Sequence, residues 1–268
     1  MPNFLLNPWL TGIAINLALL VPAYLSPKKL LTLEGTIHAW VLGVLLYGCL
    51  GWQGYTLMMV YFLLGSAVTR IGMAEKEAAG IAEKRSGARG PENVWGSALV
   101  ATICAIAFWM LKVWNYRELM QFGQLPAWAT LLPPLLLLGY TASMATKLSD
   151  TCASEIGKAY GKRTFLITTL KPVPRGTEGA VSLEGTIAGI LASLVIALVG
   201  WGLGLVPHQY PIGIAICVLA AFVATNLESV IGATLQTQFS WLTNELVNVI
   251  NTLIGALVAI GLGLLLFH

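Results

Sequence analysis

Apolar stretches of about 20 residues recur along this chain and constrain its fold more than any other feature. A helix that crosses a membrane needs about 20 mostly apolar residues. Six stretches approach that length: Phe4 to Leu25, Val94 to Trp114, Ala127 to Thr146, Gly185 to Leu205, Ile212 to Leu227 and Leu246 to Phe267. Only 10% of the 268 residues are charged, compared with about 25% in soluble domains. The sequence therefore predicts an all-α, polytopic transmembrane bundle.

One further apolar segment, Thr36 to Gly72, is too long for a single crossing and is interrupted at Gly51-Trp52-Gln53-Gly54. We interpret it as two helices, which gives a bundle of about eight spans, with seven and nine as the alternatives. No change in composition marks a second domain. Residues 1–268 are therefore predicted to form one transmembrane domain.

The distribution of charge predicts the orientation of the bundle. With eight spans, 13 of the 15 Lys and Arg residues fall on one side, and only Lys112 and Arg117 fall on the other. Because cytoplasmic loops carry an excess of Lys and Arg, we expect both termini on the non-cytoplasmic side. The two long cytoplasmic loops would then be Ile71 to Asn93 and Lys147 to Ser182.

The strongest local signal for chemistry is the polar segment from Asp150 to Lys162. On a helix, Asp150 lies four residues before Ser154, and Thr151 lies four residues before Glu155, so their oxygens would form adjoining stripes. Hard oxygen ligands of this kind suit a magnesium-bound phosphate. The alternative is an ordinary capped helix end.

Glycine and lysine alternate in the second half of the same segment. Gly157 and Gly161 would allow a ligand to approach the backbone closely. Lys158 and Lys162 would bring positive charge to that ligand. In the alternative interpretation, these lysines only extend their ammonium groups into solvent at the membrane surface.

Two further polar clusters flank the last cytoplasmic connection. They are Asn226, Glu228, Ser229 and Gly232 at the end of the seventh span, and Asn244, Glu245, Asn248 and Asn251 at the start of the eighth. An unpaired amide in a fully apolar medium costs about 4 to 8 kcal/mol. The asparagines must therefore find partners, either on other helices or among metal and phosphate oxygens.

Basic residues of the two long loops complete the set of candidates. Lys84, Arg85 and Arg89 lie in the first loop, and Lys171 and Arg175 lie in the second. They could bind substrate phosphates. Alternatively, they form a membrane-surface patch that attracts anionic headgroups.

A short sequence occurs twice, each time where a helix is entered from the basic side. Leu33-Glu34-Gly35-Thr36-Ile37 recurs as Leu183-Glu184-Gly185-Thr186-Ile187. Glu and Thr can satisfy amide groups in the first turn of a helix. We assign that capping role to Glu34 and keep Glu184 as a candidate site residue.

These motifs resemble those of the phytyl-phosphate kinase family of plastids and cyanobacteria over essentially the full chain. The matching signatures are Ala82-Glu83-Lys84-Arg85 with Gly87 and Arg89-Gly90-Pro91, then Asp150 to Gly157, Pro174 to Thr186, Glu228-Ser229-x-x-Gly232-Ala233 and Asn244-x-x-Val247-Asn248. The string from Asp150 to Lys162 is also similar to the cytidine-nucleotide motif of phytol and dolichol kinases, which implies CTP as the phosphate donor. Cys152 and Glu245 depart from the family pattern, where tryptophan and aspartate are expected.

The resemblance implies a CTP-dependent kinase that converts phytyl monophosphate to phytyl diphosphate for tocopherol and phylloquinone synthesis. Such an enzyme would be a magnesium-dependent phosphotransferase with a phosphate group as acceptor. We predict Asp150 and Glu228 as magnesium ligands, and Glu155 and Asn244 as further catalytic residues. The predicted binding residues are Ser154, Gly157, Gly161, Lys162, Lys84, Arg89, Lys171, Arg175, Glu184, Asn226 and Asn248.

Two other functions use some of the same features. A cytidylyltransferase making a CDP-lipid would bind the same nucleotide and metal, and a transporter or flippase would suit the internal repeat. The expected partners are an isoprenoid phosphate, a nucleoside triphosphate and membrane lipid, with no nucleic acid, and self-association is left open. The resemblance implies a cyanobacterial plasma or thylakoid membrane, with the active face cytoplasmic.

Overall fold

The computed structural model describes residues 7–25 and 29–267, apart from the side chains of Lys84, Ser86 and Thr237. The described helices are α1 (Pro8–Leu25), α2 (Leu33–Thr69), α3 (Met73–Ala78), α4 (Pro91–Phe122), α5 (Ala127–Tyr160), α6 (Leu183–Gly202), α7 (Ile212–Ala233), α8 (Leu235–Gln238) and α9 (Asn244–Leu266). A 3-10 turn covers Lys84–Gly87, and strands β1 (Thr164–Leu166) and β2 (Ala180–Ser182) form an antiparallel hairpin. Residues 4–6 of the first predicted span lie outside the described residues.

Seven of the described helices are long and apolar enough to cross a membrane, and one of them, α2, consists of two arms joined at Gly51. A straight helix of its 37 residues would be about 55 Å long. Instead, Arg70 beyond its last turn donates a hydrogen bond to the Lys29 carbonyl before its first turn, at 3.1 Å. The chain reverses at Gly51, whose φ of 69° is readily adopted only by glycine. The predicted interruption is therefore confirmed, and counting the two arms of α2 separately gives the predicted number of about eight spans.

Helix α5 lies at the centre of the bundle. Residues 138–150 are buried without interruption, as expected of a helix that packs against neighbours on every side. It contacts α2, α4, α6, α7 and α9. The described part of the chain is thus organised around the helix that carries the Asp150 motif.

The predicted loop from Lys147 to Ser182 is wrong in its first part, because α5 continues to Tyr160. Its polar residues are tolerated inside a helix since they find partners there and on neighbouring segments. Thr151, for example, donates its hydroxyl hydrogen to the Lys147 carbonyl at 2.9 Å. With 34 residues, α5 is about 51 Å long, so it extends past a hydrocarbon core of about 30 Å.

Both copies of the Leu-Glu-Gly-Thr-Ile sequence begin a helix, as predicted. The Thr32 hydroxyl accepts a hydrogen bond from the Gly35 amide at 3.0 Å, and the Ser182 hydroxyl accepts one from Gly185 at 3.1 Å. A Cβ atom on either glycine would lie 2.3 to 2.5 Å from a carbonyl oxygen of a neighbouring segment. The repeated glycine therefore allows the first turns of α2 and α6 to pack closely against their neighbours.

Candidate active site

A polar cavity of about 710 Å³ opens at the charged end of the bundle. Its walls come from the last turns of α5 and α7, the first turn of α9, the segment between α3 and α4, and the β1–β2 hairpin. It brings together eight of the predicted site residues: Arg89, Asp150, Ser154, Glu155, Gly157, Glu228, Asn244 and Asn248. Residues far apart in the sequence therefore share one site.

Lys147 lies at the floor of this cavity and joins two of its walls. Its Nζ donates hydrogen bonds to Asp150 Oδ2 at 2.6 Å and to Asn248 Oδ1 at 2.7 Å. Lys147 is 7% exposed and Asp150 is 6% exposed. Asn248, predicted to need a partner, finds one in this ammonium group, which ties α9 to α5.

Sequence reasoning counted Lys147 only as a topological charge and missed its place in the site. The available signal was its spacing: Lys147 precedes Asp150 by three residues, so the two side chains lie on one face of a helix. That relation was hidden because the predicted span ended at Thr146 and Lys147 was assigned to the loop after it.

Glu228 approaches the cavity from α7. It lines the cavity together with its neighbour Ser229, whose hydroxyl donates to the Thr225 carbonyl at 3.2 Å. A smaller polar lobe of about 40 Å³ lies beside the cavity and is lined by Asp150, Ser229 and Asn226, among others. Asn226 was predicted as a binding residue and lies in this lobe, not in the main cavity.

The Glu155 carboxylate lines the cavity but is already engaged by lysines. Lys76 of α3 forms an ion pair with it and also donates to the Thr69 carbonyl at 2.8 Å. Lys158 Nζ lies 3.4 Å from the second carboxylate oxygen. Because Lys76 and Glu155 are 1% and 2% exposed, this pair fixes α3 against α5 and shapes the cavity wall.

Two arginines line the wall that is formed by the segment between α3 and α4. Arg89 Nη1 donates to the Tyr61 hydroxyl at 2.8 Å, and its backbone amide donates to the Leu30 carbonyl at 3.0 Å. Arg85 forms an ion pair with Glu92. The side chain of Lys84, the neighbouring predicted residue, lies outside the described residues.

The hairpin reaches the cavity through two glycines in the left-handed region. Gly176 and Gly179 have φ values of 82° and 74°, which disfavour other residues. A Cβ atom on Gly176 would lie 2.6 Å from the side chain of Ile81, and one on Gly179 would lie 2.4 Å from Cβ of Ala233. The turn is thus held between α7 and the segment after α3, and it places Glu178 in the cavity wall.

Besides Asn226, five predicted binding residues do not line the cavity: Gly161, Lys162, Lys171, Arg175 and Glu184. Gly161 ends α5, and its amide donates to the Gly157 carbonyl at 3.0 Å. Arg175 donates to the Ala159 carbonyl at 3.0 Å. These residues lie around the outer part of the site, and their binding roles stay predictions.

Carboxylates outnumber cations among the described residues that line the cavity. Four are basic (Arg85, Arg89, Lys147, Lys158) and seven are acidic (Glu83, Glu92, Asp150, Glu155, Glu178, Glu228, Glu245). Within the described part of the chain, Glu178, Glu228 and Glu245 have no ion-pair partner within 4.0 Å. Anionic phosphates would meet an excess of acidic side chains in this cavity, which cations entering with them would offset.

The arrangement suits a metal whose remaining ligands come from a substrate. The described residues contain no group of three His, Cys, Asp or Glu side chains placed to hold a metal ion by themselves. Mg²⁺ is usually bound by one or two carboxylates together with substrate phosphates and water. Asp150 and Glu228, which line one cavity, supply that number of carboxylates.

Asn251 lies deeper in the membrane segment and, among the described residues, lacks the hydrogen-bond partner that was predicted for the asparagines of α9. It is 0% exposed, and neither atom of its side-chain amide has a hydrogen-bond partner in the described structure. Asn244 instead accepts a hydrogen bond from Gln236, beyond α7. Of the three asparagines of α9, Asn244 and Asn248 line the cavity and Asn251 does not.

Fold and site together define a multi-pass integral membrane protein with a carboxylate-rich cavity at one end of its bundle. The family described as "Integral membrane protein DUF92" matches residues 16–256. The chain belongs to this family.

Three relatives place the chain among proteins of cyanobacteria, plants and archaea. It is 60% identical to the uncharacterized membrane protein sll0875 of Synechocystis over 95% of this chain and 91% of the relative. It is 44% identical to the chloroplastic protein VTE6 of Arabidopsis thaliana over 94% and 71%, and 31% identical to the uncharacterized membrane protein MJ0933 of Methanocaldococcus jannaschii over 92% of each. No solved structure matches the chain. The cyanobacterial and chloroplast relatives confirm the family resemblance predicted from the motifs.

Proposed function

We propose that this protein is a CTP-dependent phytyl-phosphate kinase that converts phytyl monophosphate to phytyl diphosphate. The observation that carries the proposal is the grouping of Lys147, Asp150, Asn248 and Glu228 in one polar cavity at the end of a membrane bundle. The chemistry comes from the family resemblance, which the cyanobacterial and chloroplast relatives support.

The proposed reaction forms one bond and breaks one bond. A phosphate oxygen of phytyl monophosphate attacks the γ-phosphorus of CTP, and the bond from that phosphorus to the β–γ bridging oxygen breaks. The electron pair leaves with CDP. The acceptor needs no general base, because a phosphate monoester with a second pKa of about 6 is largely ionised at neutral pH. Catalysis then depends on in-line placement and on neutralising charge.

Asp150 and Glu228 would hold Mg²⁺ in this proposal, since both carboxylates line the cavity and Glu228 has no ion-pair partner among the described residues. When bound, Mg²⁺ neutralises charge on the phosphate oxygens. Asn244 and Asn248 present amide groups to the same space. Glu155, whose carboxylate is held by Lys76, acts as a positioning residue.

Cationic side chains would orient the phosphates. The cavity is lined by Lys147 and Lys158 of α5 and by Arg85 and Arg89 of the segment between α3 and α4. Since each already contacts a protein group, their positions are fixed before substrate arrives. Preorganised charges of this kind cost no reorganisation during reaction.

The residues outside the cavity wall belong to the outer part of the proposed site. We propose that Lys162, Lys171 and Arg175 attract the nucleotide to the cavity, and that Gly161 and Glu184 shape the approach to it. For Lys84, whose side chain lies outside the described residues, the proposed role in phosphate binding rests on the sequence alone. Lys162 and Glu184 are neighbours, since the Lys162 amide lies 3.4 Å from a Glu184 carboxylate oxygen. These surface charges would act over a Debye length of about 8 Å in physiological salt.

The experiment is a product analysis with purified protein, Mg²⁺, CTP and either phytol or phytyl monophosphate. The proposal predicts CDP and phytyl diphosphate in equal amounts, from phytyl monophosphate only. Pyrophosphate with a CDP-lipid would instead show a cytidylyltransferase. If the folded protein consumes neither CTP nor lipid phosphate, the proposed enzymatic role is refuted.

A further inference from the structure

An apolar groove runs between α6 and α7 on the outer surface of the described bundle. Its volume is about 720 Å³, and all nine residues that line it are apolar. Ile190 and Leu194 form its α6 wall, and the α7 wall extends from Ile212 to Phe222. From Ile212 to Phe222 the rise is about 15 Å along the membrane normal for an upright helix.

This groove adjoins the small polar lobe, and the lobe in turn adjoins the active-site cavity. Ile190 and Phe222 line both the groove and the lobe, and Asp150 and Ser154 line both the lobe and the cavity. The three spaces therefore lie in a row from the outer surface of the bundle to the carboxylates. A comparable depression at the opposite end, beside Lys112, shares no described lining residue with the cavity.

We propose that the α6–α7 groove holds the hydrocarbon chain of an isoprenyl monophosphate whose phosphate lies in the cavity, an inference that rests on the proposed function. The substrate would enter sideways from the bilayer, with its chain remaining in an apolar environment throughout. The lobe, at about 40 Å³, has room for about three water-sized groups. It would hold the first carbons next to the phosphate.

The chemistry along the path matches the two ends of such a molecule. The groove offers only apolar side chains, so it suits a hydrocarbon chain and not a nucleotide. The lobe adds the hydroxyl groups of Ser149 and Ser154 beside Asp150. The lining therefore becomes more polar toward the end that would hold the anionic phosphate. Since lipid tails are as apolar as the groove, the groove serves to orient the substrate and adds little affinity.

A kinetic test fills the groove with tryptophan. Leu194→Trp and Ala215→Trp each place a large ring in it, and Leu191→Trp is the control, because Leu191 is on α6 and 56% exposed but does not line the groove. Phytyl monophosphate is compared with a five-carbon isoprenyl monophosphate, which is too short to occupy the groove. We expect kcat/KM for the long substrate to fall by about 10- to 100-fold in the groove variants, since small misplacements of a reacting group cost rates of that order. The short substrate and the control should be unaffected. Equal losses on both substrates, or no loss on the long one, would overturn the proposal.

A second readout does not depend on turnover. A phytyl monophosphate probe with a diazirine near the middle of its chain is photo-crosslinked to the wild-type protein in nanodiscs, and the labelled residues are mapped. Label between Ile212 and Phe222 that unlabelled phytyl monophosphate competes away supports the groove as the binding site. If this label is found but no phosphate transfer occurs, only the kinase proposal fails. Turnover accompanied by label confined to other helices refutes the groove and leaves the kinase proposal standing.

Discussion

The contact between Lys147 and Asp150 makes a quantitative prediction for the substitution Lys147→Met. The two charges are 2.6 Å apart and only 7% and 6% exposed. At an effective dielectric constant of about 20, their gross attraction is about 6 kcal/mol, part of which offsets the cost of desolvation. Removing the ammonium group leaves a buried carboxylate without its partner. We therefore expect the free energy of unfolding to fall by about 3 to 5 kcal/mol.

A double-mutant cycle separates this pair from a general packing effect. Asp150→Asn alone leaves Lys147 unpaired, whereas the double variant removes both buried charges. The double variant should therefore be more stable than the sum of the single losses predicts, by about 3 kcal/mol. The assay is unfolding in a titration with sodium dodecyl sulfate, followed by circular dichroism. Lys112→Met, at an exposed site on the opposite end, is the matched control and should change stability by less than about 0.5 kcal/mol.

Additive losses in this cycle would refute the reasoning. They would mean that Lys147 and Asp150 do not interact in the folded protein, so the floor of the cavity would need a different arrangement. A large loss with the Lys112 control would show instead that the assay responds to any lysine removed.

Three further predictions use the same preparations. Gly51→Ala forces a non-glycine residue to a φ of 69° and should lower the free energy of unfolding by about 1 to 2 kcal/mol. Gly202→Ala is the control and should leave it unchanged, because an added Cβ atom there meets nothing within 4 Å. Equal effects of the two substitutions would contradict the reversal of α2. Glu155→Gln leaves Lys76 buried without its carboxylate and should destabilise by about 3 kcal/mol; an unchanged midpoint would contradict a structural role. Mg²⁺ with CTP should raise the unfolding midpoint of the wild type, and chelation by EDTA should abolish that rise. Glu228→Gln should respond weakly to Mg²⁺ and CTP, and a full response would argue against a metal contact there.

Most of the fold could be predicted because hydropathy alone determines which segments lie in a membrane. Even the reversal within α2 could be anticipated, since Gly51 interrupts a segment that is too long for one crossing. The extension of α5 to Tyr160 could not, because its polar residues resemble a loop until their partners are known. Lys76, which pairs with Glu155, lies 79 residues away.

The site was only partly predictable for a similar reason. Asp150, Glu228 and Asn248 were recognised because polar residues at membrane helix ends are unusual, and the fold does bring them to one cavity. Lys147 was missed because a lysine at a predicted span boundary has an ordinary explanation in topology. Glu178 lies within the Pro174 to Thr186 signature but was not selected as a site residue, because its place in the cavity depends on the turn that Gly179 makes against α7.

The most direct test of the proposed function follows the γ-phosphate of CTP. Purified wild-type protein is incubated with Mg²⁺, phytyl monophosphate and CTP labelled at the γ-phosphorus, beside Asp150→Asn and the control Glu118→Gln, whose site lies outside the cavity. We predict that the wild type and the control transfer the label to phytyl diphosphate. With Asp150→Asn, we predict that this labelling falls by a factor of about 100 or more. Undiminished labelling by a folded Asp150→Asn variant would contradict the assigned site, and no labelled lipid with the wild type would contradict the kinase itself.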